Sequence, residues 1–231
     1  MADQGTLDWY ADRWGKITMS MRVATLMDGH VHERNKLLKL IRWQRDNSDL
    51  DTIMQEFERE TKLGDNVKPL AWGRKHESES IDQYELTRNV TVQRLGFCPH
   101  PMWPHLCGSS IDFIETHDGT LSGDPRYACE IKCPYNRENH LRTIRFGMGP
   151  EHVHQTQGHM EVAGLEEGKF ISYDPRHPVD EMKLYVQNIE RDLEWTLKFR
   201  SLMDQFSKHI ENGTKFEQQM GATRDGIPSM F

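Results

Sequence analysis

Residues 109–132 read SSIDFIETHDGTLSGDPRYACEIK, and they hold two strand-like segments on either side of a turn. The first segment, SSIDFIE, and the last, RYACEIK, have the β-branched, aromatic and alternating character of strands. The middle, HDGTLSGDP, is rich in the Gly, Asp and Pro residues that form turns. The sequence therefore predicts a hairpin with these two strands side by side.

The predicted hairpin carries two acids and a lysine. Alternate side chains of a strand share a face, so Glu130 and Lys132 point the same way and Ile131 points into the opposite layer. Asp112 then comes beside Glu130, and two close carboxylates repel unless a cation lies between them. Such ligands suit Mg²⁺ or Mn²⁺, and the lysine can help to deprotonate water or neutralise a phosphate. The alternative is a surface ion pair, because so short a motif also arises by chance.

A third acid, Glu77, interrupts the apolar face of a predicted helix. It shares that face, at spacings of three and four residues, with Leu70, Gly73, Ile81 and Tyr84. Because a buried, unpaired carboxylate is costly, we expect Glu77 to find a cation or hydrogen-bond partners inside the fold. The alternative is a rotated helix that leaves Glu77 exposed.

Glutamines and histidines cluster in HVHQTQGHME, residues 152–161. Gln155 and His159 lie one helical turn apart, with Gln157 between them. The three histidines of this segment lack the carboxylate or cysteine that would complete a zinc site. The glutamines are interpreted as neutral groups that orient a catalytic water or a backbone phosphate.

The order of elements predicts an α/β fold, with a mixed central sheet flanked by helices. Helices are predicted over 17–28, 33–46, 49–61, 69–88, 151–164 and 193–210, the fourth with Asp65 and Asn66 as possible caps. Strands are predicted over 89–97, 109–115, 126–132, 169–174 and 182–190. Residues 1–212 form a single domain in this interpretation, and residues 213–231 form a flexible C-terminal tail.

The net charge of −7 has the wrong sign for a protein that coats DNA with its whole surface. A local contact is still possible through residues 34–45, RNKLLKLIRWQR, which carry five basic groups and no acidic one. From this segment we expect Lys36, Lys39 and Arg42 to face a duplex, although a solvated helix face has the same pattern.

The cysteines and the apolar pattern indicate an intracellular protein. The four cysteines lie within residues 98–133 but include no CxxC pair, so reduced thiols near the core are expected rather than zinc or an iron–sulfur cluster. No run approaches the roughly 20 apolar residues of a membrane span, and the N-terminus lacks the layout of a signal peptide. The predicted location is the cytoplasm.

Several motifs, in this order along the chain, resemble the lambda-type phage recombination exonucleases, a YqaJ-like viral recombinase family within the PD-(D/E)XK nuclease superfamily. The similarity runs from about Trp9 to Asp192. It rests on WYADRWGKITMS at 9–20, LAWGRKHE at 70–77, CEIKCP at 129–134, HQTQ at 154–157, SYDPR at 172–176 and IERD at 189–192. The resemblance implies a restriction-endonuclease-like core.

The resemblance also implies roles for individual residues. Asp112, Glu130 and the carbonyl of Ile131 are expected to ligate Mg²⁺, with two ions in the site, and Lys132 is expected to be the catalytic lysine. The other expected catalytic positions are Glu77, Gln155 and Gln157. A pocket for a 5′-phosphate is expected from Arg13, Ser20 and Ser110.

The resemblance implies an exonuclease activity that degrades one strand of double-stranded DNA from its ends in the 5′→3′ direction. This activity is expected to depend on Mg²⁺, with Mn²⁺ as a substitute. The 3′ overhang it leaves serves recombination. The implied assembly is a homotrimeric ring, with a single-strand annealing protein as a possible partner, in a bacterium carrying the phage or prophage. Departures from the family are Ile111-Asp112-Phe113 in place of Pro-Asp-Gly, and a longer loop to Glu130. Two alternatives stay open: a restriction-like or structure-specific endonuclease, and a non-catalytic DNA-end-binding protein.

Overall fold

The computed structural model describes residues 2–217, which contain eight α-helices and eight strands. The helices are α1 Leu7–Arg13, α2 Met21–Asp28, α3 Val31–Asp46, α4 Leu50–Asn66, α5 Lys68–Arg88, α6 Arg137–Phe146, α7 Val153–Ala163 and α8 Leu193–Asn212. The strands are β1 Ile17–Thr18, β2 Gln93–Arg94, β3 Phe97–Pro99, β4 Cys107–Ser110, β5 Phe113–Thr116, β6 Pro125–Lys132, β7 Glu167–Tyr173 and β8 Leu184–Glu190. Within these residues, no helix is both long and apolar enough to cross a membrane.

The strands form two sheets. The central sheet has the order β2-β5-β6-β7-β8, with β6 and β7 parallel and the other pairs antiparallel. The small sheet has the order β1-β4-β3, with β1 parallel and β3 antiparallel to β4. The predicted α/β architecture with a mixed central sheet is therefore confirmed.

The two faces of the central sheet pack against different helices. Cys129 and Ile131 of β6 pack with Tyr84 of α5, whereas Ala128, one position along the strand, packs with Met160 of α7. This alternation confirms that Ile131 points into the opposite layer from Glu130 and Lys132. Glu130 consequently lies on the side covered by α7.

The predicted hairpin is present, but its first strand is broken. β5 pairs antiparallel with β6, as expected. Residues 109–115 nevertheless divide between two sheets, since β4 pairs with β1 and β3 whereas β5 pairs with β2 and β6. The chain changes sheets at Ile111 and Asp112, and the Ile111 side chain is buried there. The prediction of one continuous strand over residues 109–115 is therefore wrong.

The N-terminal half departs from the prediction in local details. Residues 17 and 18 form a strand rather than the start of a helix, because the amides of Ile17 and Met19 donate to carbonyls of the chain around β4. Asp65 and Asn66 belong to α4, and Val67 is the N-cap of α5. Residues 89–97, predicted as one strand, contain β2 and the start of β3, which belong to different sheets.

Two further differences lie in the C-terminal half. Helix α6, capped by the side chain of Asn136, was not predicted. Part of the predicted tail is packed: Phe216 is buried, and its backbone makes two hydrogen bonds, of 2.9 and 3.0 Å, with the side chain of Asn35. The rest of the predicted tail, residues 218–231, lies outside the described residues.

The basic segment of α3 is largely committed to the fold. The guanidinium groups of Arg34, Arg42 and Arg45 all donate to backbone carbonyls, which ties α3 to α2, to α8 and to the loop before β4. Lys36 and Lys39 are exposed. Arg42 directs its guanidinium at α8 and the residues after it, and the expectation that Lys36, Lys39 and Arg42 face a duplex stays a prediction.

A buried carboxylate joins α7 to α8 and to the ends of β3 and β8. Glu161 is only 3% exposed and accepts hydrogen bonds from Arg191, from Arg200 at 2.7 and 3.1 Å, and from His100 at 3.3 Å. Burial alone would raise the pKa of Glu161. The hydrogen bonds of His100 and Arg200 and the charge of Arg191 outweigh burial and lower the pKa to about 2.

We predict that Glu161→Gln lowers the free energy of unfolding at pH 7 by about 3 kcal/mol, because the guanidinium of Arg191, whose side chain is 9% exposed, loses its buried counter-charge. The folded pKa lies below the unfolded value of about 4.3. Glu161 therefore stabilises the fold above about pH 4.3, and this contribution is lost as the pH falls towards 2. Urea denaturation of wild type and variant between pH 2 and 7 measures both effects.

Glu166→Gln is the matched control. Glu166 also contacts Arg191, at 3.4 Å, but its side chain is 76% exposed. This variant should unfold within about 0.5 kcal/mol of wild type. An equal loss of unfolding free energy in the two variants would show that the burial of Glu161 does not strengthen its contribution to stability.

Candidate active site

Asp112 and Glu130 meet at the junction of β5 and β6. The register places Phe113 opposite Cys129, so Asp112 lies beside Glu130. An Asp112 carboxylate oxygen, Oδ2, accepts a hydrogen bond of 2.7 Å from the amide of Ile131. Burial and the negative charges of Glu130 and Glu77 hold the pKa of Asp112 well above its usual range. The hairpin thus brings together the two acids that the sequence singled out.

Glu130 is held between two donors. Only 2% of the residue is exposed, Lys132 donates to its Oε1 atom, and His159 contacts its Oε2 atom at 2.5 Å. Burial opposes ionisation of Glu130, but Lys132 and His159 lower its pKa to about 2. Burial likewise opposes the charge of Lys132, but Glu130 and Asp112 raise the pKa of the lysine. The two side chains therefore form a charged pair.

Glu77 completes a group of three carboxylates. It is half-buried on α5, and it lines one cleft together with Asp112. Burial and the charge of Glu130 raise its pKa. Glu77 is half-buried rather than fully exposed, but no described residue donates a hydrogen bond to it, so the expected cation stays a prediction. Leu70, on the same predicted face, is 52% exposed.

The charges and donor types of this group fit a divalent cation. Three carboxylates and one lysine carry a net charge of −2 when all are ionised, and no hydrogen bond from a described residue reaches the Glu77 carboxylate. Within residues 2–217, no group of three or more His, Cys, Asp and Glu side chains is arranged as a ready metal cage. A site of two carboxylates, one carbonyl and several waters, which Mg²⁺ accepts, needs no such cage.

The cleft that contains Asp112 and Glu77 also contains Arg13. Its volume is about 840 Å³. The guanidinium of Arg13 lies 4.0 Å from the centre of the Trp9 ring, and its Nε atom is buried without a hydrogen-bond partner. Burial and the nearby charge of Arg22 lower the pKa of Arg13 to about 10, which leaves it charged at neutral pH. Arg13 is thus a cation with a free buried donor in the same cleft as the acids.

Neither of the two predicted serines lines the cleft that contains Arg13. Ser110 accepts a hydrogen bond of 3.0 Å from the Trp9 ring nitrogen, and Ser20 lies 3.0 Å from Thr18, hydroxyl to hydroxyl. β1 runs parallel to β4 with Thr18 opposite Gly108. Strand β1 ends at Thr18, and Ser20 is the N-cap of α2.

The structure separates the two glutamines. Gln157 is buried, donates to the carbonyl of Glu190 at 2.9 Å and accepts from the amide of Asp192 at 2.8 Å. Gln155 is half-buried, makes no side-chain hydrogen bond to a described residue, and lies one turn before His159 on the face of α7 that meets Glu130. Gln157 therefore holds the end of β8 to α7, and Gln155 is the glutamine available to the site.

Sequence reasoning missed three neighbours of these groups. His159 was noted one turn from Gln155, but its contact with Glu130 was not foreseen, nor was its 2.5 Å contact with Ser109. Arg22 lies close enough to Arg13 to affect its pKa. The only signal for His159 was its helical spacing from Gln155, and Arg22 and Ser109 gave none.

The central sheet with helices on both faces, and two acids and a lysine at a hairpin beside a helical acid, define a nuclease of the restriction-endonuclease-like fold. The family model of the YqaJ-like viral recombinase domain matches residues 8–166. The chain belongs to this family.

Solved structures support the assignment. The chain is similar to the alkaline exonuclease LHK-Exo from Laribacter hongkongensis, with 28% sequence identity and a TM-score of 0.68. The similarity covers 90% of this chain and 95% of LHK-Exo, and a second structure of LHK-Exo, in complex with dAMP, matches equally well. No curated protein sequence matches this chain.

The glutamines give a prediction that separates structure from function. Gln157→Ala should lower the free energy of unfolding by about 2 kcal/mol, because two backbone groups lose their partner. Gln155→Ala should change it by no more than about 0.5 kcal/mol, because no described hydrogen bond is lost. Chemical denaturation measures both values. If Gln155→Ala lowered the free energy of unfolding and Gln157→Ala left it unchanged, Gln155 would be the structural glutamine and Gln157 the one available to the site.

Proposed function

We propose that this protein is a Mg²⁺-dependent exonuclease that degrades one strand of double-stranded DNA in the 5′→3′ direction from its ends. The single observation that carries the proposal is one cleft that contains both the acids Asp112 and Glu77 and the unsatisfied guanidinium of Arg13. The acids supply a metal-assisted hydrolytic site, and the arginine supplies an anion site close to it.

Asp112, Glu130 and the carbonyl of Ile131 would hold the metal. Two Mg²⁺ ions, or Mn²⁺ in their place, would supply Lewis-acid polarisation of the scissile phosphate and an activated water. Lys132 is charged and paired with Glu130. Its ammonium group can therefore neutralise a phosphate at this position or orient the attacking water. Glu77 adds a third carboxylate, and Gln155 adds a neutral hydrogen-bonding group.

Arg13 would receive the terminal 5′-phosphate, aided by the hydroxyls of Ser20 and Ser110. A terminal phosphate carries more charge than an internal diester and has three acceptor oxygens, which suits a guanidinium with a free donor. An anion here would satisfy the Arg13 Nε atom, which has no partner in residues 2–217. The position of this pocket in the cleft of Asp112 would set how far from the end the cut falls.

The remaining properties are proposed from family membership. The 3′ single-stranded overhang left by such an enzyme is a substrate for recombination, in which a single-strand annealing protein is a possible partner. A ring of three subunits around the DNA is the proposed assembly, in the cytoplasm of a bacterium that carries a phage or prophage. The likeness of 28% to an alkaline exonuclease supports the activity class.

Substitutions in the acid group test the hydrolytic site. Asp112→Ala and Glu130→Ala should abolish both Mn²⁺ binding and degradation of linear duplex DNA, because each removes an oxygen ligand. Lys132→Ala should still bind Mn²⁺ and DNA but cleave at least about 100-fold more slowly. Single-turnover degradation of a labelled linear duplex measures the rates, and calorimetric titration measures Mn²⁺ binding. Normal turnover by Lys132→Ala would contradict the role of the lysine.

Covalently closed circular DNA is the control substrate in the same assay. An end-dependent exonuclease leaves it intact, whereas a restriction-like or structure-specific endonuclease linearises it. A wild-type protein that binds DNA ends but cleaves neither substrate would be a non-catalytic end-binding protein.

The phosphate pocket predicts a preference for phosphorylated ends. Wild type should degrade a 5′-phosphorylated duplex faster than a matched 5′-hydroxyl duplex, and Arg13→Ala should lose most of that preference, because the terminal charge loses its guanidinium partner. Initial rates on the two substrates give the preference as a ratio.

Arg94→Ala is the matched control for Arg13→Ala. Arg94 lines the same cleft, but its guanidinium is already bonded to Ser78 at 2.9 Å and to Asp82 at 2.5 Å. This variant should keep the wild-type ratio. A full preference in Arg13→Ala, or equal rates for wild type on both substrates, would show that the pocket is misassigned.

A further inference from the structure

His159 bridges two buried side chains that belong to different elements. On α7, with 1% of the residue exposed, it lies 2.5 Å from Glu130 through Nε2 and 2.5 Å from Ser109 through Nδ1. Ser109 on β4 is fully buried, and Glu130 on β6 is 2% exposed. The bridge therefore connects the small sheet, α7 and the central sheet at the acid group.

The chemistry of the three groups fixes the direction of the contact with Glu130. A carboxylate can only accept a hydrogen bond, so the Nε2 atom of His159 donates to it. In a neutral ring, Nδ1 then accepts from the Ser109 hydroxyl, and in a charged ring Nδ1 donates to the hydroxyl oxygen. Glu130 receives a donor from His159 in both states, and Ser109 fixes the ring plane.

This bridge limits the positions open to the Glu130 carboxylate. Its Oε2 atom is held by His159, and its Oε1 atom accepts from Lys132, whose side chain is 34% exposed on the open side of the site. Rotation of the Glu130 carboxylate would break its contact with His159, and because both residues are buried, water could not replace the lost hydrogen bond. The Oε1 atom is therefore the oxygen that faces the open side of the site.

We propose that His159, fixed by Ser109, is a positioning residue that presents Glu130 to the divalent cation. The proposal rests on the metal-dependent function proposed above. Hydrogen bonds to a metal-ligating carboxylate orient it and tune its affinity, and removing such a partner typically weakens metal binding 10- to 100-fold. His159 would act through Glu130 and would touch neither the metal nor the DNA.

A second buried histidine provides an internal comparison. His140 on α6 is also 1% exposed, and its Nδ1 atom lies 2.8 Å from the Ser172 hydroxyl. Its Nε2 atom, however, lies 2.9 Å from the backbone carbonyl of Met182 rather than near a carboxylate. The two histidines are thus equally buried, and the Nδ1 atom of each contacts a serine. They differ in the partner of Nε2, which is the Glu130 carboxylate for His159 and a backbone carbonyl for His140.

The test is calorimetric titration of the purified, metal-free full chain with Mn²⁺, without DNA. His159→Ala should bind Mn²⁺ about 10-fold or more weakly than wild type. His159→Gln should recover most of that loss, because its amide can still donate to Glu130. Ser109→Ala should weaken Mn²⁺ binding by a smaller factor. His140→Ala should lose thermal stability but keep its Mn²⁺ affinity within about twofold, since it removes an equivalent buried ring that contacts no acid of the site.

Equal Mn²⁺ affinity in wild type and His159→Ala would overturn the proposal, and so would an equal loss in His140→Ala. If His159→Ala does not fold, His159→Gln and Ser109→Ala decide: wild-type Mn²⁺ affinity in Ser109→Ala, with a large loss in His159→Gln, would contradict the donor role. A wild-type protein that binds no Mn²⁺ overturns the proposal as well. A wild-type protein that binds Mn²⁺ but degrades no DNA overturns the proposed function and leaves the titration as a valid test of His159.

Discussion

The buried charge of Glu130 is the constraint on which the rest of the site depends. A carboxylate that is 2% exposed requires compensating donors, and the fold supplies one from its own strand, Lys132, and one from α7, His159. The hairpin then adds Asp112, and α5 adds Glu77. Each of these elements is fixed by apolar packing against the central sheet, so the position of the charges follows from the core on both faces of β6.

Other buried acids in the protein show what a purely structural carboxylate looks like. Glu161 has two arginines and a histidine as partners. Glu115, on the face of the sheet opposite to Glu130, is bonded to Tyr84 and Lys169. Both have complete sets of partners, whereas Glu77 and Asp112 share a cleft with a surplus of negative charge. That surplus, rather than burial itself, distinguishes the acids available for chemistry.

The distribution of basic residues explains how an acidic protein can act on DNA. The net charge is −7, and the three arginines of α3 are bonded to backbone carbonyls, so the most basic segment mainly stabilises the fold. Arg13 and Arg42 each have a buried Nε atom without a partner in the described residues, but only Arg13 lies in the cleft of the acids. One poorly satisfied guanidinium near the site is more informative about an anion than a run of surface charge.

From local geometry, the sequence alone determined the hairpin, the shared face of Glu130 and Lys132, and the α/β class. Strand and helix periods follow from backbone dihedrals and can be counted along the chain. Only the tertiary structure decided that Ser110 and Asp112 belong to different sheets, that Gln157 holds Glu190 and Asp192 while Gln155 stays available, and that His159 reaches Glu130. These outcomes depend on which distant segments pair and in what register, and residue spacing carries no information about that choice.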